Sequence, residues 1–451
     1  MTNLDWHFGH RFPRRTFLQS ASTGFAASLA GSFLPVWARP AQSATSSPKG
    51  IQPLTPASMS KAWSLEEMQR RWNITRRKMK ELQLDCLLVS QHHSGEMISE
   101  RIDGDADVEW FTGNSLPFKY VILPLEGKVT AFSTAQVRGT PEEKMAAERG
   151  IDIRIVPGEQ MWSAPMIDSL REMNMAQARI GVTDLANAPR QPEGEISYTT
   201  YDRILKAFPQ AKFEAVGGLL WKLKLVHSPE EIAVLEKATL VSEVGIQAMM
   251  ATAHPGVIHR VVWLAMYEAM VNASGERPWR VSIRTGAGGN SALNRPLEEV
   301  MPAGQVLTQE CTGCVLGYGS QTNQSVLLGP ASADWTSLSH YCLDTFHIVM
   351  DAVVPGKTIH EILAVYDKRL VEKGEKPGGL IFHSGGLGDL PRTGSNGEGS
   401  DVVIEPGMVF DIKPEFRLKG RGVVQIGDSV VVTDKGARRL GRRDMSPNNL
   451  A

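Results

Sequence analysis

The chain has 451 residues, 42% hydrophobic and 22% charged, with a formal net charge of -1. That length suits two or three domains, and the near-neutral balance argues against a nucleic-acid partner or a strongly acidic one. The four cysteines, Cys86, Cys311, Cys314 and Cys342, are too few for a disulfide-built scaffold.

The first segment reads as a targeting sequence. Arg14 and Arg15 precede Phe17 and Leu18, and an apolar, small-residue run follows from Ser20 to Leu34. Positive residues followed by a short apolar run and small residues have the layout of an export signal. The arginine pair resembles a twin-arginine signal, with cleavage expected after Ala38 or Ala44. Export by that route implies a periplasmic protein that folds before transport, with no membrane attachment after signal removal. The alternative is an uncleaved anchor, but the run falls short of the ~20 residues a span needs. Residues 1–44 are thus read as signal and 45–63 as a Ser-, Pro- and Ala-rich linker.

A first block extends over 64–217. Met68, Trp72, Ile74, Met79 and Leu82 recur at helical spacing from Leu65 to Leu84, with Ser64 as N-cap. Short apolar runs at Cys86 to Val89, Tyr120 to Leu123, Val129 to Phe132, Ile151 to Val156 and Ile180 to Val182 read as strands. Helical stretches alternate with them at Pro141 to Arg149, Met166 to Met173 and Tyr198 to Ala207, which predicts an α/β domain.

A second block covers 218–441, leaving 442–451 as a tail. Ser228, Pro229 and Glu231 form a capping box with Pro at the first helical position, so a helix should run to about Met250. Further helices are predicted at Arg260 to Val271, Trp335 to Val353 and Ile359 to Lys373. Strands are predicted at Val281 to Arg284, Val306 to Cys311, Ser325 to Leu328, Met408 to Ile412 and Gly422 to Val432. The glycine-crowded stretch from Ser384 to Ser400 reads as loop. This pattern predicts an α+β architecture with helices packed on an antiparallel sheet. Cys311 and Cys314 lie in a predicted strand without a second pair to complete a zinc site. They read as core residues, with an oxidised pair as the alternative.

Several phrases resemble one family. The run from Trp221 to Ile232, containing His227-Ser-Pro-Glu-Glu-Ile232, is similar to the join that leads into the catalytic domain of the creatinase/aminopeptidase P family. Val108-Glu-Trp-Phe-Thr-Gly113 resembles that family's N-I-R-Y-L-T-G strand. Glu405-Pro-Gly-Met-Val-Phe-Asp-Ile-Lys-Pro414 resembles E-P-G-M-V-x-T-I-E-P, and Asp428 to Thr433 resembles the closing E-D-x-x-L-V-T. The resemblance implies a creatinase-like N-terminal α/β domain, a pita-bread C-terminal domain and a homodimer.

Peptidases of that family hold two divalent metals with two Asp, one His and two Glu. The matching positions in this chain carry Glu310, Gln321, His383 (within a residue or two), Lys413 and Gly427. The family's separate catalytic His falls at Arg295. A lysine offers only donors. Its charge ~4 Å from a dication would cost about 8 kcal/mol at an effective dielectric of about 20. A divalent metal cofactor is therefore not expected. Creatinase, within the same family, works on a C–N bond without metal, and His383-Ser384 resembles its G-H-S motif.

The catalytic candidates are His383 as general acid/base, Glu310 to activate water and Lys413 to stabilise negative charge. The substrate-binding candidates are Arg295, Gln321, Asp411 and Gln425. The expected ligand is a small polar or zwitterionic molecule. Three readings stay open: a metal-independent hydrolase or lyase acting on a C–N or similar bond, a non-catalytic binding protein with a structural Glu310–Lys413 salt bridge, and a metallo-aminopeptidase with unusual ligands.

Overall fold

A computed structural model describes residues 63–90, 106–113, 118–156, 161–183, 185, 194, 196–286, 298–378, 382–386 and 401–450. The signal, the linker before residue 63, Arg295 and most of the glycine-rich loop lie outside these residues. No described helix is long and apolar enough to cross a membrane.

The N-terminal lobe is built on a six-stranded mixed sheet ordered β4-β3-β2-β1-β5-β6. Its strands are β1 (Cys86–Ser90), β2 (Phe118–Pro124), β3 (Thr130–Thr134), β4 (Asp152–Val156), β5 (Arg179–Val182) and β6 (Lys212–Ala215). β1 is buried throughout, between antiparallel β2 and parallel β5. That explains its continuous apolar run, since a strand covered on both faces has no polar side to alternate. Helix α1 (Leu65–Glu81) opens the lobe, with Ser64 Oγ accepting the Glu67 N–H at 3.1 Å.

The strand expected at Val108 to Gly113, by similarity to the family, is instead a helix. It forms α2 (Ala106–Thr112), ended by Gly113 at positive φ. Thr112 Oγ1 bonds back to the Val108 carbonyl at 2.9 Å, while α1 takes the helix's last carbonyls. Trp72 donates to Phe111 O at 2.9 Å, and Arg71 to Trp110 O at 3.3 Å. These long-range partners override the β preference of Val, Trp and Phe.

The C-terminal lobe carries three sheets. One is ordered β16-β9-β8-β7, one β10-β11-β14-β15, and the third is the β12-β13 hairpin. The long pair β8 (Val306–Val315) and β9 (Tyr318–Leu328) forms its spine, with β7 (Arg280–Thr285) antiparallel to β8. Their two-residue turn needs positive φ at Leu316 and Gly317, as tight hairpins do. Glu276 accepts both turn N–H groups, at 2.7 and 3.1 Å. The remaining strands are β10 (Phe382–Ser384), β11 (Val409–Ile412), β12 (Glu415–Leu418), β13 (Gly422–Gln425), β14 (Asp428–Thr433), β15 (Gly436–Arg439) and β16 (Asn448–Leu450). Gly422 to Val432, predicted as one strand, is two, interrupted at Ile426 and Gly427. Cys311 and Cys314 are both buried and neither forms a disulfide.

The tail expected at 442–451 is part of the fold. Arg443 is buried and donates to Gly427 O at 2.6 Å and Asn323 O at 3.0 Å, with Asp428 Oδ2 at 3.2 Å. Glu243 accepts the N–H groups of Arg442 and Arg443, each at 2.7 Å. β16 then pairs in parallel with β9. The polarity of most of the segment hides this in the sequence, because buried ion pairs hold it together with the burial of Met445 and the packing of Leu450.

The two lobes form one contact unit, joined by a buried charge cluster. The capping box of α3 (Pro229–Thr252) supplies Glu231, which receives Ser228 N–H at 2.8 Å and Tyr318 OH at 2.6 Å. From α1, Arg70 reaches Glu231 at 2.7 Å, and the fully buried Arg71 lies 3.3 Å from it. Arg71 also pairs with Glu67 at 2.7 Å and sits 4.2 Å over the Trp63 ring. Burial alone would raise the Glu231 carboxyl. Arg71, His227 and Arg70 outweigh it and hold it down at about 2, against an ordinary 4.5.

Breaking a buried pair from one side leaves an uncompensated charge, so Arg71→Met should lower stability by about 3–5 kcal/mol in denaturant unfolding. Because the folded pKa of Glu231 lies below the unfolded one, its contribution is present above pH 4.5 and is lost as pH falls towards 2. Thermal melts should show a steeper fall in Tm across that window for the wild type than for Glu231→Gln.

Candidate functional site

The site forms where β8, β9, β10 and β11 meet. Register places Arg280 opposite Thr312, and Thr312 opposite Gln321. Arg280, Glu310 and Gln321 therefore share one sheet face, with Glu310 on the diagonal, where side chains of this length touch. His383 lies opposite Asp411, and Asp411 opposite Ser429. Lys413 follows the end of β11 and reaches the same cluster.

Glu310 is the hub. Its Oε1 accepts from Arg280, from the Gln321 amide and from the Lys413 ammonium, the last at 3.2 Å. Burial would raise this carboxyl, but Lys413, Arg280 and His383 together hold it far below the ordinary carboxylate range. A carboxylate so placed is a weak proton acceptor. Burial also pushes the Lys413 ammonium down, with Arg280 adding to the effect and Glu310 opposing it.

The orientation of Gln321 follows from its neighbours. An ammonium can only donate and a carboxylate can only accept. Lys413, at 3.1 Å, thus faces the amide oxygen, and Glu310 faces the amide nitrogen. His383 Nε2 lies 2.7 Å from that same amide oxygen, so it carries a proton and donates. Nδ1 of His383 lies 3.2 Å from Ser384 O and 3.4 Å from Asp411 Oδ2. Both are acceptors, so this face of the ring also favours a proton.

Asp411 is oriented from behind by hydroxyls. Ser429 Oγ donates to Asp411 Oδ1, Ser320 Oγ lies 2.6 Å from Ser429 Oγ, and Thr239 Oγ1 lies 2.7 Å from Ser320 Oγ. Since Ser429 spends its one proton on the carboxylate, Ser320 donates to Ser429 and the chain points towards Asp411. Such chains polarise cooperatively.

Of the residues singled out from the sequence, the structure brings together His383, Glu310, Lys413, Gln321 and Asp411. Gln425 joins a neighbouring group instead: it accepts from Asn323 at 3.1 Å and donates to Glu415 at 3.4 Å. Sequence reasoning missed Arg280, Ser320 and Ser429. Arg280 had one available signal, since Arg280, Ser282 and Arg284 alternate with apolar Val281 and Ile283 along a strand.

The likeness to known proteins agrees with this geometry. Residues 233–434 match the model of metallopeptidase family M24. The chain is 23% identical over 260 residues to an Xaa-Pro dipeptidase of Pyrococcus furiosus, covering 56% of this chain and 73% of that protein. It is 20% identical over 412 residues to a creatinase of a Bacillus species, covering 86% and 93%. Among solved structures, an Xaa-Pro dipeptidase from Bacillus anthracis superposes with a TM-score of 0.70 at 18% identity, covering 85% of this chain and all of that one. A prolidase from Pyrococcus furiosus gives 0.64 at 19%, covering 82% and 99%. The fold is the α+β pita-bread architecture preceded by a creatinase-like α/β lobe. Over residues 233–434 the chain resembles the metallopeptidase family M24, and its likeness extends to Xaa-Pro dipeptidases and to a creatinase.

This likeness corrects one expectation. The matched family is one of metallopeptidases, so it points to a metal cofactor where none was expected. The residues at the five matching positions nevertheless do not rebuild the dinuclear ligand set. Glu310 is taken by two cations and Gln321, and position 413 is an ammonium. Among the described residues, no three His, Cys, Asp or Glu side chains are arranged to hold a metal ion. Position 427 has no room for a ligand: a Cβ there would lie 2.5 Å from Ile412 O and 2.8 Å from Lys413 Cα. The residues present therefore do not fit a pair of metal ions held in the family's manner.

Backbone atoms give way less readily than side-chain tips, so Gly427→Ala should cost about 1–3 kcal/mol in chemical denaturation.

Proposed function

We propose that the protein hydrolyses a C–N bond in a small polar or zwitterionic molecule, with His383 moving the proton. The carrying observation is the His383 ring between Gln321 Oε1 and Asp411, its Nε2 proton directed by a fixed amide. Asp411 and its hydroxyl chain orient the ring. Lys413 and Arg280 stabilise negative charge developing on the attacked group, and Glu310 holds those two cations in place. Relatives named for Xaa-Pro dipeptides and for creatine support a C–N bond as the target.

A second reading, ligand binding without turnover, is favoured by Glu310 itself, since a carboxylate clamped by two cations makes a poor base for activating water. We also propose export by the twin-arginine route, from Arg14-Arg15 and the apolar run after it, and a homodimeric assembly.

The test is turnover of a panel of Xaa-Pro dipeptides, amino-acid amides and guanidino acids, with and without added manganese. At least one should be hydrolysed, and His383→Ala should lower kcat by about 10²–10⁴-fold with its melting temperature retained. Folded wild-type protein inactive on the whole panel would favour the binding reading instead.

A further inference from the structure

His227 sits behind the seam between two strands of the site. β9 carries Gln321 and β10 carries His383, whose Nε2 meets the Gln321 amide oxygen at 2.7 Å. Two residues past β10, Gly386 N–H donates to Gly319 O at 2.9 Å and bridges back to the start of β9. The His227 imidazole packs against both sides of that join. It meets the Tyr318 ring edge-on, with centroids 6.5 Å apart. Its Nε2 occupies the space that a side chain at position 386 would need, since a Cβ there would lie 2.4 Å from it.

The fold accepts this ring as a neutral group. His227 is 5% exposed, and its Nδ1 makes no hydrogen bond. Burial pushes the imidazole below its ordinary 6.5, with Arg70 and Arg71 adding to the effect and Glu231 and the Gly407 backbone opposing it. Those two opposing groups are already engaged. Glu231 accepts from Tyr318 OH at 2.6 Å, Ser228 N–H at 2.8 Å and Arg70 at 2.7 Å. Gly407 O accepts the main-chain N–H of His227 at 2.9 Å. An imidazolium donates from both ring nitrogens, and its Nε2–H would face Gly386. A buried charge without a full set of acceptors is costly. Of the two neighbours, Tyr318 is buried and tied to Glu231, whereas Gly386 has no side chain and is held to β9 by a backbone bond. The charged ring is therefore relieved at Gly386.

We propose that His227 is a positioning residue and an acid-sensitive wedge: neutral, it holds the end of β10 on β9, and with it His383 on Gln321; protonated, it releases Gly386 from Gly319. The wedge goes beyond the hydrolase reading and rests on it only for the role of His383. Once loosened, the ring titrates near 6.5, and in the closed fold it titrates lower. Each pH unit below 6.5 therefore multiplies the loosened population by up to about tenfold, until the closed form also takes the proton.

Hydrogen exchange of the full chain tests this, read by mass spectrometry on peptides spanning β10 and Gly386 and corrected for intrinsic rates. Between about pH 7.5 and about pH 5.5, protection of wild type should fall by about three- to tenfold. That range stays above 4.5, so Glu231 does not titrate within it in either state. His227→Gln and His227→Met keep a side chain of similar reach and cannot titrate. Each should show the same protection at both pH values, and either serves if the other fails to fold. Equal protection of wild type at the two pH values overturns the proposal, as does a pH-dependent fall that persists in a folded variant. Turnover of a panel substrate with pH-independent exchange sinks this inference alone. A wild-type fall that the variants abolish, without any turnover, sinks the hydrolase reading alone.

Discussion

The site is organised by a single carboxylate that meets two cations. Glu310 meets Arg280 from the neighbouring strand, Lys413 from the end of β11 and the Gln321 amide beside it. Each contact constrains the next. The ammonium fixes which end of Gln321 faces it, that fixes the proton on His383 Nε2, and the ring's other nitrogen is left against Asp411. Exchanging Lys413 for an acidic residue would remove the donor that orients Gln321 and undo this order.

The scaffold supplies the rigidity the arrangement needs. Tyr318 begins the strand that carries Gln321, and its hydroxyl is bonded to Glu231, which also caps α3 and receives Arg70 and Arg71 from the other lobe. Behind the site, Arg443 anchors the backbone at Gly427 and Asn323. Buried charges of this kind are expensive unless fully partnered. In this fold they tie the N-terminal helix and the C-terminal segment to the strands that carry the site.

Much of the fold was legible because its signals are local. The capping box at Ser228 and Glu231 marked α3 correctly, and buried β1 announced itself as an apolar run. The errors fall where tertiary contacts override local preference: Val108 to Gly113 is helical because α1 takes its carbonyls, and the tail folds through Arg443. The site was legible as a set of positions, because the run from Glu405 to Pro414 fixed Lys413 and Asp411 in register. Its second cation was not, since Arg280 reaches Glu310 only through a strand pairing 30 residues away in sequence. The likeness to metallopeptidases corrected the expectation of no metal, which the substituted residues alone had suggested.

The most direct test is a high-resolution crystal structure of the wild-type chain near neutral pH, read at Lys413. The account predicts Nζ turned inward, within hydrogen-bond distance of both Glu310 and the Gln321 amide oxygen, with Arg280 on the same carboxylate. Nζ turned out to solvent, with Glu310 bound to some other partner, would contradict it.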